Sequence, residues 1–201
     1  MNKYFSVDLE LAGNNSDMHS IISLGACTLN GDSEFYREMK PISFEYQRRS
    51  MMAASMGLKC LTEKMKRNPH YDPTNVREFR PEFILKLLYK CGSDPKQAII
   101  DFDNWVKEQA RGENAIMIAK PIGVDVPFME KYCIKFLGYK GPFGEYEDLD
   151  NAYRRITQNH GGSVKHLGLM DVRQCDHNSL EDALFQAKQF TEVMKLKEAL
   201  T

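Results

Sequence analysis

The sequence predicts an α/β domain: a mixed five-stranded sheet, three antiparallel strands followed by parallel ones, with helices on both faces. Three observations carry this. Residues 3–11 alternate apolar and polar side chains in the period of a strand. Asn30-Gly31-Asp32 separates two further strand-like runs, and Asn-Gly is a strong hairpin cue. A short apolar run at residues 115–119 follows a helical pattern, so it is reached by a crossover and pairs in parallel. The 201 residues suit one domain of ordinary size.

The elements follow in order. Residues 3–11, 19–29 and 34–39 read as an antiparallel meander. Residues 45–66 are rich in Met, Ala and Leu and read as one helix. Pro69, Pro73 and Pro81 then punctuate a polar stretch, and a short helix at residues 82–89 ends near Cys91-Gly92. Asp94-Pro95 has the form of an N-cap followed by proline at the first helical position. The helix it opens runs to about residue 110, with Ile99, Phe102 and Val106 at helical spacing and Trp105 on the sheet-facing side. After the strand at 115–119 come a loop, a helix from Asp125 through Tyr139, a strand at 145–149 and a helix at 150–157. The last helix runs from about Asn178 to Leu200. The domain is residues 1–201, with a basic helical insertion around 45–93.

Composition narrows the class. Apolar residues make up 42% and charged residues 27%, which supports a packed core. No apolar run is long enough to span a bilayer, and Asp8 interrupts the apolar stretch after Met1, making a poor signal peptide. We therefore expect a mature chain starting here and no membrane partner. Cys27, Cys60, Cys91, Cys133 and Cys175 form no CxxC pair, so we expect small core residues in a reducing cytoplasm. The net charge of −1 argues against a large uniform nucleic-acid-binding face. Residues 37–90, however, hold 12 Lys/Arg against 6 Asp/Glu, while the remainder carries −7. An acidic core with a basic segment suits a metal site beside a phosphate-binding surface; the alternative is a solvated helical insertion.

Asp8 and Glu10 are the most informative residues. Two apart on a strand, they point to one face, with Ser6, while Phe5, Val7, Leu9 and Leu11 take the other. Two like charges a few Å apart repel, and burial raises that cost. A divalent cation between them removes the conflict. Asp125 stands at the carboxyl end of a strand, where ligands gather in open α/β sheets; it also suits a helix N-terminus. Asp182, in the first turn of the last helix, has the same double reading. His177 is five positions earlier, about 140° around a helix, so it reaches Asp182 only from the preceding loop. An imidazole there suits proton transfer from water. His19, His70, His160 and His166 lack acidic partners and read as surface or loop residues. Phe128, Tyr132, Tyr139, Tyr146 and Tyr153 read as core or as base-stacking candidates.

Together, Asp8-x-Glu10, Asp125 and His177-x4-Asp182 resemble the DEDDh 3′–5′ exonucleases of the RNase H-like superfamily, which include the proofreading subunit of the bacterial replicase, RNase T and oligoribonuclease. The match covers residues 3–40 and 94–200 and is most specific at residues 177–184. Leu11 stands where the family often has Thr, and residues 119–124 lack its Asn and Phe before the second Asp. Asp148 matches a recurring acid of the family.

The resemblance implies an RNase H-like sheet and hydrolysis of phosphodiester bonds from 3′ ends of single-stranded DNA or RNA, releasing nucleoside monophosphates. It implies two Mg²⁺ or Mn²⁺ ions held by Asp8, Glu10, Asp125 and Asp182, with His177 as general base. Family members are often homodimers; no polymerase-binding signal is legible in this chain. Two alternatives stay open: an oligoribonuclease-like enzyme for very short RNA, and a non-catalytic nucleic-acid-binding protein. Arg48, Arg49, Lys66 and Arg67 are the basic residues expected to meet substrate.

Overall fold

The computed structural model describes residues 2–170 and 177–200. Its five-stranded sheet has the order β3-β2-β1-β4-β5. β1 (Asn2–Leu11), β2 (Ile21–Thr28) and β3 (Glu34–Glu38) form the antiparallel meander, and β4 (Asn114–Ala119) and β5 (Glu145–Asp148) add in parallel. The turn between β2 and β3 places Gly31 at φ 71°, a left-handed conformation natural to glycine. β2 is buried along its whole length, because helices cover both faces of the sheet.

One face packs Phe5, Val7, Leu9 and Leu24 against α4 (Pro95–Ala110) and α5 (Ile122–Leu137), which contribute Ile99, Phe102, Phe128 and Tyr132. Asp94 caps α4 as the sequence indicates, its carboxylate accepting from Gln97 N–H at 3.0 Å, with Pro95 at the first helical position. The opposite face carries α6 (Leu149–Thr157) and α7 (Ser179–Leu200), with Phe190 and Val193 of α7 packed beside Ile118 of β4. A 3-10 turn, Val164–Leu167, leans on the same layer.

Residues 45–93 have a core of their own. Met51, Leu58, Leu61, Phe79, Ile84, Leu85 and Leu88 are buried together beside Ala12 and Ile22. The single helix expected over 45–66 is instead two, α1 (Arg48–Met56) and α2 (Glu63–Lys66), and α3 (Pro81–Cys91) follows. Gly57 makes the break. A Cβ there would lie 2.7 Å from the Asn178 backbone, and its carbonyl accepts from Asn178 Nδ2 at 2.7 Å. A tertiary contact thus overrides the helical propensity of the flanking Met and Ala residues.

Three smaller expectations change. His19 is not a surface residue: it is 5% exposed beneath Gly13, accepting from Asn15 N–H. α5 begins at Ile122, a turn before Asp125, through a cis Lys120–Pro121 bond. Cys27 and Cys133 are core residues, but Cys60 is half-buried and Cys91 exposed; Cys175 lies outside the described residues. Among the described residues no helix is long and apolar enough to cross a membrane.

The approach of α7 to the sheet is set by Gly25 of β2. A Cβ at Gly25 would fall 2.1 Å from the Ser179 carbonyl carbon and 2.2 Å from Leu180 N. The helix start therefore rests directly on the strand backbone, and Ser23 Oγ meets Ser179 Oγ at 3.0 Å beside it. Gly25→Ala should push α7 outward and lower stability by about 1–3 kcal/mol. Thermal denaturation with an unchanged Tm would show that α7 does not depend on this contact.

Candidate active site

β1 extends past its parallel neighbour. The last residue of β1 to pair with β4 is Ser6, opposite Ile118, so β4 does not cover the strand beyond. Asp8 and Glu10 lie on that overhang, with Asp8 opposite Gly25 on the other side. The residue that admits α7 is thus the neighbour of Asp8. Asn178 fixes the helix start: its side-chain oxygen accepts from Leu180 N–H at 3.1 Å and Glu181 N–H at 3.2 Å. It is a strong N-cap by residue type, and its amide also reaches Gly57 after α1.

This docking brings Asp182 to β1. One carboxylate oxygen each from Asp8, Glu10 and Asp182 lie within 4.8 Å of one another. All five residues singled out by the sequence, Asp8, Glu10, Asp125, His177 and Asp182, line one cleft of about 650 Å³. Asp125 is placed differently from the other three acids. It is 4% exposed, with the backbone N–H of Leu9 close enough to its carboxyl to favour the ionised form, on the stretch of β1 that β4 does not pair. His177 is exposed, with left-handed backbone (φ 63°), at the mouth of the same cleft.

The electrostatics are those of a site built for a cation. Burial, and then the neighbouring Asp125 charge, push the Glu10 carboxyl up to about 8. Burial likewise raises Asp125, against the lowering effect of the Leu9 N–H. Two buried carboxylates cannot both ionise cheaply without a compensating positive charge. Hard divalent cations seek carboxylate oxygens in this arrangement, so the donor set fits them.

Several residues of the cleft carried no sequence signal. Gln186, one turn after Asp182, is 7% exposed and donates from Nε2 to Asp8 Oδ1 at 2.7 Å. Its Oε1 is buried, with no hydrogen-bond partner among the described residues. Its position four after Asp182 is the signal that could have found it, since i and i+4 share a helix face. Lys120 and Lys165 line the same cleft, Lys120 paired with Asp150 at 3.0 Å. Phe185 is the aromatic of the cleft. The aromatics named from sequence lie elsewhere: Phe128, Tyr132 and Tyr153 are core, Tyr139 contacts Asp103 and Lys107, and Tyr146 donates to Glu130. Asp148 caps α6 through Asn151 N–H and accepts from Ile122 N–H, tying β5 to the start of α5.

No protein-family model matches the chain. In sequence the chain is 25% identical over 205 residues to the 3′-5′ DNA exonuclease Cap18 of Escherichia coli, covering 97% of this chain and 93% of that protein. In fold it resembles E. coli exonuclease I in complex with a dT13 oligonucleotide, with a TM-score of 0.64 and 9% identity. The zinc-ion-bound form of that enzyme with single-stranded DNA gives a TM-score of 0.62 and 10% identity. The chain spans 42% of exonuclease I, so this likeness concerns one part of a longer protein.

The raised acids set a pH dependence. Glu10, ordinarily near 4.5, keeps its proton in the metal-free fold up to about 8, whereas the unfolded chain has lost it. The folded state binds more protons, so stability falls as pH rises across that window. Melting in EDTA should show this decline. Mn²⁺ affinity should rise over the same range, with proton release visible by calorimetry in buffers of different ionisation enthalpy. Affinity independent of pH would contradict the buried-acid account.

Proposed function

We propose that this chain, a DEDD-type 3′–5′ exonuclease of the RNase H-like superfamily, removes nucleoside monophosphates from the 3′ end of single-stranded DNA. In this reading Asp8, Glu10, Asp125 and Asp182 hold two divalent cations, Mg²⁺ or Mn²⁺, and His177 is the general base. The observation that carries it is the meeting of Asp8, Glu10 and Asp182 oxygens within 4.8 Å, in a cleft that His177 also lines. Likeness to Cap18, whose name states a 3′-5′ DNA exonuclease, and to exonuclease I bound to oligonucleotides supports it.

When bound, the cations supply Lewis acidity to the phosphate and lower the pKa of nearby water. The chain supplies the rest. His177 takes a proton from water as its oxygen bonds to phosphorus. The P–O3′ bond breaks, and the 3′ oxygen leaves with a proton from solvent. The products are a 5′-monophosphate and a strand one nucleotide shorter. Gln186 holds one Asp8 oxygen, fixing where the other points. Lys120 and Lys165, which line the same cleft, offer positive charge to the phosphate backbone. We place the enzyme in the cytoplasm, since the described cysteines are thiols.

Asp8→Ala or Asp182→Ala should abolish digestion of end-labelled single-stranded DNA in Mg²⁺ or Mn²⁺ while circular dichroism stays unchanged. His177→Ala should lose about 10²–10⁴-fold. Near-normal turnover by purified Asp8→Ala would falsify the mechanism. Parallel RNA substrates of several lengths test the oligoribonuclease-like alternative.

The basic insertion gives a separate expectation. Lys66 is already paired with Glu63 at 2.8 Å, so Arg49 and Arg67, both exposed, are the cleaner probes. Their reversal to Glu should weaken DNA affinity and flatten its salt dependence. An unaltered salt slope would leave these residues as solvated surface.

A further inference from the structure

The segment before α1 and the helix α3 expose aromatic rings that the core beneath them does not use. Phe44 is 49% exposed, Tyr46 39% and Tyr89 57%. They form a strip rather than scattered points. The segment carrying Phe44 and Tyr46 runs antiparallel along α3. Tyr46 Oη donates to Glu82 Oε2 at 3.2 Å near the start of that helix, and the Phe44 ring lies 5.8 Å from the Tyr89 ring near its end. Residues 82, 86 and 89 share a helix face, so exposed Lys86 sits between the two contacts. Arg48, which donates to Val76 O at 2.7 Å, and Arg80 are near enough to act electrostatically on the Tyr46 hydroxyl. Glu45 and Glu82 are the acids of the strip, and Glu82 is engaged by Tyr46.

α1, whose first turn follows Tyr46 of the strip, meets the elements of the cleft at both ends. Before α1, Gln47 N–H donates to Ala12 O at 2.7 Å, just beyond the β1 residues Asp8 and Glu10. After α1, Gly57 receives the Asn178 amide beside His177. The nine residues of α1 rise about 13 Å, a span of a few nucleotides. Exposed rings interleaved with cations are the chemistry that binds single strands without reading sequence. Every base has a face to stack, and the backbone follows the charge.

We propose that Phe44, Tyr46 and Tyr89, with Arg48, Arg80 and Lys86, form a stacking track for single-stranded DNA upstream of the nucleotide being removed. This rests on the exonuclease reading, which it extends from the cleft to the surface that holds the rest of the strand. It separates two determinants: the cleft takes the terminal nucleotide, and the strip favours longer strands.

The test is the full chain carrying Phe44→Ala and Tyr89→Ala. Its affinity for 5′-labelled oligothymidylates of about 20 nucleotides and of three is read by fluorescence anisotropy in EDTA. Turnover of the p-nitrophenyl ester of thymidine 5′-monophosphate in Mn²⁺ reads the cleft alone. The variant should lose about tenfold or more in affinity for the long strand. It should keep wild-type trinucleotide affinity and ester turnover, and Tyr89→Phe alone should retain long-strand binding. Unchanged long-strand affinity overturns the track. Equal losses on both lengths and the ester overturn it too, since the rings would then serve the fold. A wild-type dimer that the variant dissociates, with DNA affinity unaltered, would assign the strip to a second copy of the chain and also overturns it. If the wild type hydrolyses neither DNA nor ester, the exonuclease reading fails, while long-strand affinity still decides the strip.

Discussion

The candidate site depends on how closely α7 approaches the sheet. At Gly25 the helix start lies against bare backbone, with no room for a single carbon. Asp8 is paired beside Gly25, so this contact fixes the distance between the acids of β1 and the acid of α7. A side chain at that one position would separate residues nearly the full length of the chain apart. Asn178 adds direction, capping the helix with one side-chain atom and anchoring the insertion with the other. Packing, capping and chemistry converge on a few residues.

The same approach concentrates negative charge where water is scarce. Glu10 and Asp125 are both largely buried, and Glu10 feels the Asp125 charge as well as its own desolvation. Such a cluster is a standing cost to the metal-free fold and a ready ligand set for a hard cation. The same cleft carries Lys120 and Lys165. The likeness to exonuclease I is one of fold, and the sequence relative is named a 3′-5′ DNA exonuclease.

Much of this was legible in the residues. Period-two alternation placed Asp8 and Glu10 on one face of β1, Asn30-Gly31 marked the hairpin, and Asp94-Pro95 marked the start of α4. These signals are local, and local chemistry decides them. What escaped was set by distant contacts. Gly57 breaks a helix-favouring run because Asn178 occupies the space its side chain would need. His19, polar and in a loop, is covered by Gly13. Gln186 reads as an ordinary helical residue until its amide is seen on Asp8. Asp125 was named for its position after a strand, but its contact with the Leu9 N–H follows from β1 outrunning β4, a register that no local pattern encodes.

The central claim is that acids from β1 and α7 gather to bind divalent cations for phosphodiester hydrolysis. Anomalous diffraction from crystals soaked in Mn²⁺ tests it most directly. Strong peaks bonded to oxygens of Asp8, Glu10 and Asp182 are the expected result. A cleft that takes up no manganese, or peaks bound only elsewhere on the surface, would contradict it.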